Sequence, residues 1–298
     1  MPLFKASFFL FYKENFGGEM ERKTQLKNEL KKIKENIEKN KPLVHNITNY
    51  VTVNDCANIQ LAFGGSPIMA DSILEVEEVV SVCSSLVINI GTINERTIES
   101  MIKAGEMANI KEIPVVLDPV GYGFTKLRTD GVDEILSKVS VSVIKGNISE
   151  IKGLLKGNND INGVDVSIAD RELTVEDISE IAKKVSKLHN CIVAVTSKVD
   201  VITDGKRAVY LSNGSHIMSD ITGTGCMIGA LLGVSLGGNK ESIFMGTVYG
   251  VGVMGVCGEI AANSLEKREL SRLKSNILDK VGSMKFEEFM EVLNYEYN

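Results

Sequence analysis

Asp220-Ile221-Thr222-Gly223-Thr224-Gly225-Cys226 runs without a break into Met227-Ile228-Gly229-Ala230-Leu231-Leu232-Gly233-Val234. A glycine-rich loop followed at once by an apolar segment predicts a sharp turn into a buried helix. Glycine lets such a backbone turn tightly and bring its N–H groups close to a ligand. The first turn of the helix has N–H groups with no internal partner, and the helix dipole adds positive potential there. A phosphate or a developing oxyanion suits such a place. Cys226 falls at the helix start, where a thiolate would be stabilised. The spacing matches neither G-x-x-x-x-G-K-[ST] nor G-x-G-x-x-G, so those two nucleotide loops are excluded. An ordinary turn before a buried helix, with Cys226 simply packed, remains the competing reading.

Outward from this stretch the chain alternates. Short apolar runs at 67–69, 85–90, 115–117, 141–144 and 191–195 predict buried strands. Helical patterns lie between them at 72–84, 95–110, 131–138, 149–155 and 175–189. Strands apolar on both faces and separated by helices indicate parallel β-α-β units with both sides of the sheet covered. Residues 201–210 read as a hairpin around Asp204-Gly205-Lys206. Residues 20–40 form an amphipathic helix ended by Pro42, residues 44–49 a polar loop, and residues 51–63 a second helix stopped by Gly64-Gly65. The C-terminal third reads as mostly helical, with a Gly- and Met-rich stretch at 243–260 that must pack closely. The expectation is one α/β domain over residues 20–298. Residues 1–19 are expected to be a mis-called leader, because Phe16-Gly17-Gly18-Glu19-Met20 is what a ribosome-binding sequence encodes when translated in frame.

Composition narrows the function classes. The chain of 298 residues is 44% hydrophobic, enough for one large core, and its net charge of −6 argues against nucleic acid as the main partner. Its five cysteines are widely spaced without a C-x-x-C pair, which suits a reduced, cytoplasmic protein better than a disulfide-stapled one. No run of about 18 apolar residues is present, so no membrane span is expected.

In parallel α/β sheets ligands bind beyond the carboxyl ends of the strands. The residues there are Asp71, Gly91-Thr92, Asp118-Pro119-Val120-Gly121, Lys145-Gly146-Asn147-Ile148-Ser149-Glu150 and Thr196-Ser197. Asp118 and Glu150 could share Mg²⁺, which takes hard oxygens and keeps waters and substrate phosphates as further ligands. Lys145 could meet phosphate as a point charge. Cation, metal and backbone donors around one anion suit phosphoryl transfer. Taken singly, each has a plain alternative: Asp118-Pro119 a turn, Glu150 a helix N-terminal charge, Lys145 a surface lysine, His45 a structural hydrogen-bonding residue.

The blocks His45-Asn46-Ile47-Thr48-Asn49, Pro67-Ile68-Met69-Ala70, Asn89-Ile90-Gly91-Thr92, Asp118-Pro119-Val120-Gly121, Lys145-Gly146-Asn147-Ile148-Ser149-Glu150 and Gly223-Thr224-Gly225-Cys226 together resemble hydroxyethylthiazole kinases, from about residue 24 to 295. The resemblance implies a ribokinase-like three-layer α/β/α fold. It further implies ATP- and Mg²⁺-dependent phosphorylation of a thiazole alcohol used for thiamine, and a homotrimer with active sites between subunits. By resemblance Met69, Gly223 and Asn46 meet the thiazole, and Lys145, Thr196, Gly225 and Asn147 meet ATP. Asp118 and Glu150 organise Mg²⁺, and Cys226 stands where most ribokinase-like enzymes carry an aspartate base. Lys145 departs from the family, which more often has arginine there. A hydroxymethylpyrimidine or sugar kinase is the nearest alternative, though those more usually carry aspartate at position 226. An enzyme using Cys226 as a covalent nucleophile is a more distant one, since it requires a histidine partner among His45, His189 and His216.

Overall fold

The structure is a computed structural model that describes residues 18–155 and 173–297. The expected leader therefore lies almost wholly outside the described residues. The first helix, α1 (Gly18–Asn40), leads into β1 (Leu43–Ile47), α2 (Val53–Ala62), β2 (Ser66–Met69), α3 (Val76–Ser81) and β3 (Ser85–Asn89). Next come α4 (Glu95–Ile110), β4 (Val115–Asp118), α5 (Lys126–Lys138), β5 (Val143–Asn147), α6 (Ile148–Gly153), α7 (Val175–His189) and β6 (Ile192–Thr196). The hairpin β7 (Asp200–Thr203) and β8 (Ala208–Leu211) precedes a 3₁₀ turn at His216–Asp220. Helices α8 (Thr224–Gly238), α9 (Ile243–Asn263), α10 (Leu270–Ser283) and α11 (Phe286–Val292), then strand β9 (Tyr295–Tyr297), complete the described chain.

The strands form one nine-stranded sheet in the order β2-β1-β3-β4-β5-β6-β7-β8-β9. Neighbours from β2 to β6 pair parallel, and β6 to β9 antiparallel. Alternation along each strand divides the core in two. Val44, Val87, Val116, Val143 and Ala194 pack with α1, α2 and α8–α11. Ile47, Leu86, Ile88, Leu117, Ile144 and Val193 pack with α3–α7. The result is the three-layer α/β/α arrangement that the alternating pattern predicted.

Several boundaries are set by local chemistry. Helices α4 and α7 span the predicted 95–110 and 175–189, because Asn94 with Thr97 and Thr174 with Asp177 close reciprocal capping boxes. Helix α7 ends at Asn190, whose φ of 49° is the left-handed stop that asparagine tolerates.

One expectation is corrected. The polar loop expected at 44–49 is instead β1, an interior strand between β2 and β3. Its polar residues are buried and bonded: His45 Nε2 lies 2.8 Å from the Ala70 carbonyl, and Asn46 donates to the Val44 carbonyl and to Gln60 Oε1. Internal partners make such polarity compatible with a core strand, which an apolarity pattern cannot see. The C-terminal third is mostly helical as expected, and β9 adds a short strand at the far edge of the sheet. Helix α9 is long and apolar enough by composition to cross a membrane, although its Gly and Thr residues break any unbroken apolar run. In the fold it is a core helix, buried almost throughout between α8, α10 and the sheet.

Helix α8 lies on the sheet through its glycines. A Cβ on Gly233 would stand 2.5 Å from Val87 Cγ2 and 2.7 Å from Val44 Cγ1, and one on Gly237 3.0 Å from Ser84 Cβ. Gly233→Ala is expected to lower stability by about 1–3 kcal/mol through overpacking, read as a fall in the urea midpoint at unchanged slope.

Candidate active site

Because β1 and β3–β6 are parallel, their carboxyl ends share one edge, and on the α8 face they present Asn89, Asp118 and Lys145. Helix α8 starts over the same edge. Its N-cap, Gly223, has φ 97°, a left-handed conformation that favours glycine, and a Cβ there would stand 2.8 Å from Thr52 Cγ2. No side chain caps this helix. A Cβ on Gly225 would stand 3.3 Å from Lys145 Nζ, so the ammonium group faces the first turn of α8. Helix dipole, first-turn N–H groups and a buried cation therefore converge at one place.

Lys145 and Asp118 are 4% and 1% exposed, and Nζ lies 3.3 Å from both carboxylate oxygens. Burial is the main reason the Asp118 carboxyl is pushed up to about 6; the nearby Glu150 adds to it, while Lys145 and Asn89 oppose it. For Lys145, burial favours loss of the proton, but Asp118, Glu150 and Cys226 together outweigh it and hold the lysine charged. The plain reading of Lys145 as a surface lysine is thus excluded.

Glu150 has a double hold. Its Oε2 accepts from Asn147 N at 2.8 Å in the capping box of α6, and its Oε1 accepts from Gly121 N at 2.9 Å. It is therefore the helix N-terminal charge of the plain reading and also a carboxylate fixed beside Asp118. Each oxygen keeps a further lone pair for a hard cation. No group of three or more His, Cys, Asp or Glu side chains placed to hold a metal comes together among the described residues. A pair of carboxylates still matches what Mg²⁺ takes when phosphates and waters supply the rest.

Cys226 lies in the first turn of α8, half-buried, while the other four cysteines are buried and free. Its sulfur accepts from Asn49 Nδ2 and Asn89 Nδ2, each at 3.3 Å. Among the described residues no histidine is a hydrogen-bond partner of Cys226, and His45 is engaged with Ala70, so the covalent-nucleophile alternative lacks its base.

The remaining expected residues are more scattered. Thr196 ends β6 opposite Asn147, and its hydroxyl donates to the Gly146 carbonyl at 3.3 Å. Asn147 is exposed, with its side chain spent on capping α6. Met69 ends the edge strand β2, half-buried against the α8-side core. Asn46 is 2% exposed and its amide is spent on Gln60 and the Val44 carbonyl, which places it beneath the rim rather than on it.

Residue-by-residue reasoning gave no role to Asn49, Asn89 and Arg128. The asparagines carried a signal, a polar residue closing an apolar strand or following one. Arg128 carried none, being one cation among the charges of α5. Its guanidinium donates to the Ile90, Gly91 and Val120 carbonyls at 3.0, 2.7 and 2.6 Å, stapling the β3–α4 loop to the β4–α5 loop.

A mostly parallel sheet covered by helices on both faces, with a helix starting over the carboxyl edge, is a ribokinase-like arrangement. A ribokinase-like superfamily protein from Enterococcus faecalis shares that fold at 9% identity and a TM-score of 0.59, over 83% of this chain and 88% of that one. The sequence model of the hydroxyethylthiazole kinase family matches residues 34–287. The hydroxyethylthiazole kinase of Clostridium acetobutylicum is 47% identical over 270 residues, 90% of this chain and 99% of that one. The solved hydroxyethylthiazole kinase of Pyrococcus horikoshii superposes with a TM-score of 0.80 at 32% identity, over 92% of this chain and 99% of that chain. The chain belongs to the hydroxyethylthiazole kinase family, and it is an enzyme, a kinase with an alcohol as acceptor.

The staple is testable. Arg128→Met strands three carbonyls and is expected to cost about 1–3 kcal/mol in urea unfolding. It should also lower kcat/KM, because Asn89 and Asp118 sit at the roots of the two loops. Arg128→Lys should restore only part, since an ammonium cannot span three acceptors as a planar fork does.

Proposed function

We propose that this enzyme transfers the γ-phosphoryl group of ATP to the primary hydroxyl of 4-methyl-5-(2-hydroxyethyl)thiazole, supplying thiazole phosphate for thiamine synthesis. The observation that carries this reading is the convergence of the α8 N-terminus, Lys145 and Cys226 at the carboxyl edge of the sheet. Membership of the family supplies the acceptor class, and cysteine rather than aspartate at position 226 argues for the thiazole over pyrimidine or sugar alcohols.

In this reading the transferring phosphoryl group rests against the first-turn amides of α8, with Lys145 neutralising charge from the sheet side. Thr196 and Asn147, at the adjoining ends of β6 and β5, and Gly225 border the nucleotide. Asp118 and Glu150 would hold Mg²⁺, which when bound screens the phosphate charge. Met69 and Gly223 border the thiazole, with Asn46 supporting that wall from below. Catalysis comes mainly from positioning and electrostatics, because a loose phosphoryl transition state asks little covalent chemistry of the protein. Cys226 orients the alcohol and receives its proton late, a contribution of at most about 10²–10⁴-fold. His45, with its Nδ1 unpartnered and its pKa lowered by burial, stays a neutral donor to Ala70 and takes no part in the proton transfer.

The assembly we propose is a homotrimer in the cytoplasm, with the thiazole side of each site completed by a neighbouring chain. Tyr50, Val51, Leu61 and Leu74 are 79%, 59%, 57% and 88% exposed. They flank β2, the open edge of the sheet that carries Met69. Large apolar side chains left exposed in the segments before and after an edge strand support burial against another chain. Sedimentation equilibrium should give the mass of three chains, and a monomer with full activity would refute the shared site.

An ATP-consumption assay over a panel of alcohols tests the substrate. Turnover should be greatest with hydroxyethylthiazole, and equal or better turnover of a hydroxymethylpyrimidine or a sugar would overturn the assignment. Cys226→Asp should keep or raise kinase activity, since a carboxylate accepts both asparagine N–H bonds and the alcohol proton at neutral pH. Complete loss in that variant would remove the base role from position 226.

A further inference from the structure

The hydrogen bonds around Asn89 and Asn49 leave neither amide any choice of orientation. Asn89 Oδ1 accepts from Gly91 N and from Asn49 Nδ2, each at 2.9 Å. Its Nδ2 must therefore face the other way, where it donates to Asp118 Oδ2 at 2.8 Å and to Cys226 Sγ at 3.3 Å. Asn49 Oδ1 accepts from both the amide and the hydroxyl of Thr52, each at 3.0 Å. Its Nδ2 is then left for Asn89 Oδ1 and Cys226 Sγ. A flip of either amide would set donor against donor and acceptor against acceptor. Asn89 and Asn49 are 3% and 4% exposed, so no water stands in for a lost partner without cost.

Two N–H groups thus converge on one sulfur. A sulfur held as acceptor from two sides must turn its own proton, or its negative charge, toward the remaining open side. We propose that Asn49 and Asn89 are positioning residues for Cys226: they hold its sulfur as an acceptor and, through Asn89, tie it to the carboxylate that faces Lys145. The proposal rests on the role given above to Cys226. It adds that the alcohol end and the phosphate end of the site are one bonded unit, Lys145–Asp118–Asn89–Cys226–Asn49–Thr52. The same unit keeps the site ready before substrate arrives, since every amide hydrogen and acceptor in it is already placed.

The test is a double-mutant cycle on the purified full-length enzyme with ATP and hydroxyethylthiazole. Asn49→Asp keeps the acceptor for Thr52 and puts a charged acceptor in place of the N–H donor to Asn89 and Cys226, and Asn49→Ala removes both. Each is expected to lower kcat about tenfold, the effect of one or two hydrogen bonds on the barrier, with KM for ATP changed less than about twofold. In a Cys226→Ala background the same substitutions should lower kcat by less than about twofold further, because the group they act through is gone. Asn89→Ala, which also frees Asp118, should lower kcat and raise KM for ATP. Thermal melts identify any variant that fails to fold, and the cycle is then read from the other Asn49 variant. Losses that multiply in the Cys226→Ala background, or a kcat untouched by either Asn49 variant, would overturn the proposal while leaving Cys226 in its role. A kcat unchanged by Cys226→Ala itself would overturn that role, and the positioning proposal with it.

Discussion

How closely α8 lies on the sheet governs everything built above it. Gly229, Gly233 and Gly237 recur at the spacing of one helix face, and each meets the sheet side: Gly229 near Asp118 and Val87, Gly233 against Val87 and Val44, Gly237 against Ser84 and Ser85. A side chain at 233, and to a smaller extent at 237, would push helix and sheet apart, whereas a methyl at 229 would meet its neighbours at ordinary contact. Cys226 lies on that same face, one turn nearer the rim than Gly229. Its contacts with Asn49 and Asn89 exist only because the helix sits this low. The glycines at 223 and 225 belong to a different demand, a left-handed turn beside Thr52 and a clear path to Lys145. One segment therefore carries two uses of glycine: near its start for ligand approach, and further along for packing.

A buried lysine is costly to a fold unless its charge is met, and the cost here is answered by geometry. Asp118 faces it with both oxygens, and Glu150 adds attraction from a carboxylate already fixed by two backbone amides. Asp118, squeezed between burial and its partners, is left with a carboxyl pushed up to about 6. Such a group ionises more readily when further positive charge arrives, which suits the metal and nucleotide site proposed here. Lysine in place of the family's more usual arginine gives up bidentate geometry but fits the narrow space below Gly225 as a compact charge.

Much of this was legible in the sequence, for particular reasons. The apolar runs at 85–90, 115–117 and 191–195 showed their strands because both faces are covered, and the pattern was then unmistakable. The helices at 95–110 and 175–189 announced their ends through capping residues. β1 stayed hidden because His45 and Asn46 break the apolar run, and only Ala70 and Gln60, distant in sequence, make them acceptable inside. Strand β9 stayed hidden because three residues at an edge, none of them buried, are too few to show a periodicity. Arg128 looked like any helix cation until its three carbonyl partners were in view.

The bonded unit at the rim shows what lies between those two cases. Parallel register sets Asn89 directly beside Asp118, and the strands alternate so that both point to the α8 face. Nothing in either local sequence announces that pairing, since it depends on which strands become neighbours and in what register. Once the strand order is β1-β3-β4-β5, however, the outcome is nearly forced. Polar residues that close apolar strands line up in a row, and the helix whose N-terminus meets that row must present a group they can bond. A sulfur in the first turn, placed to accept from two amides, answers that requirement.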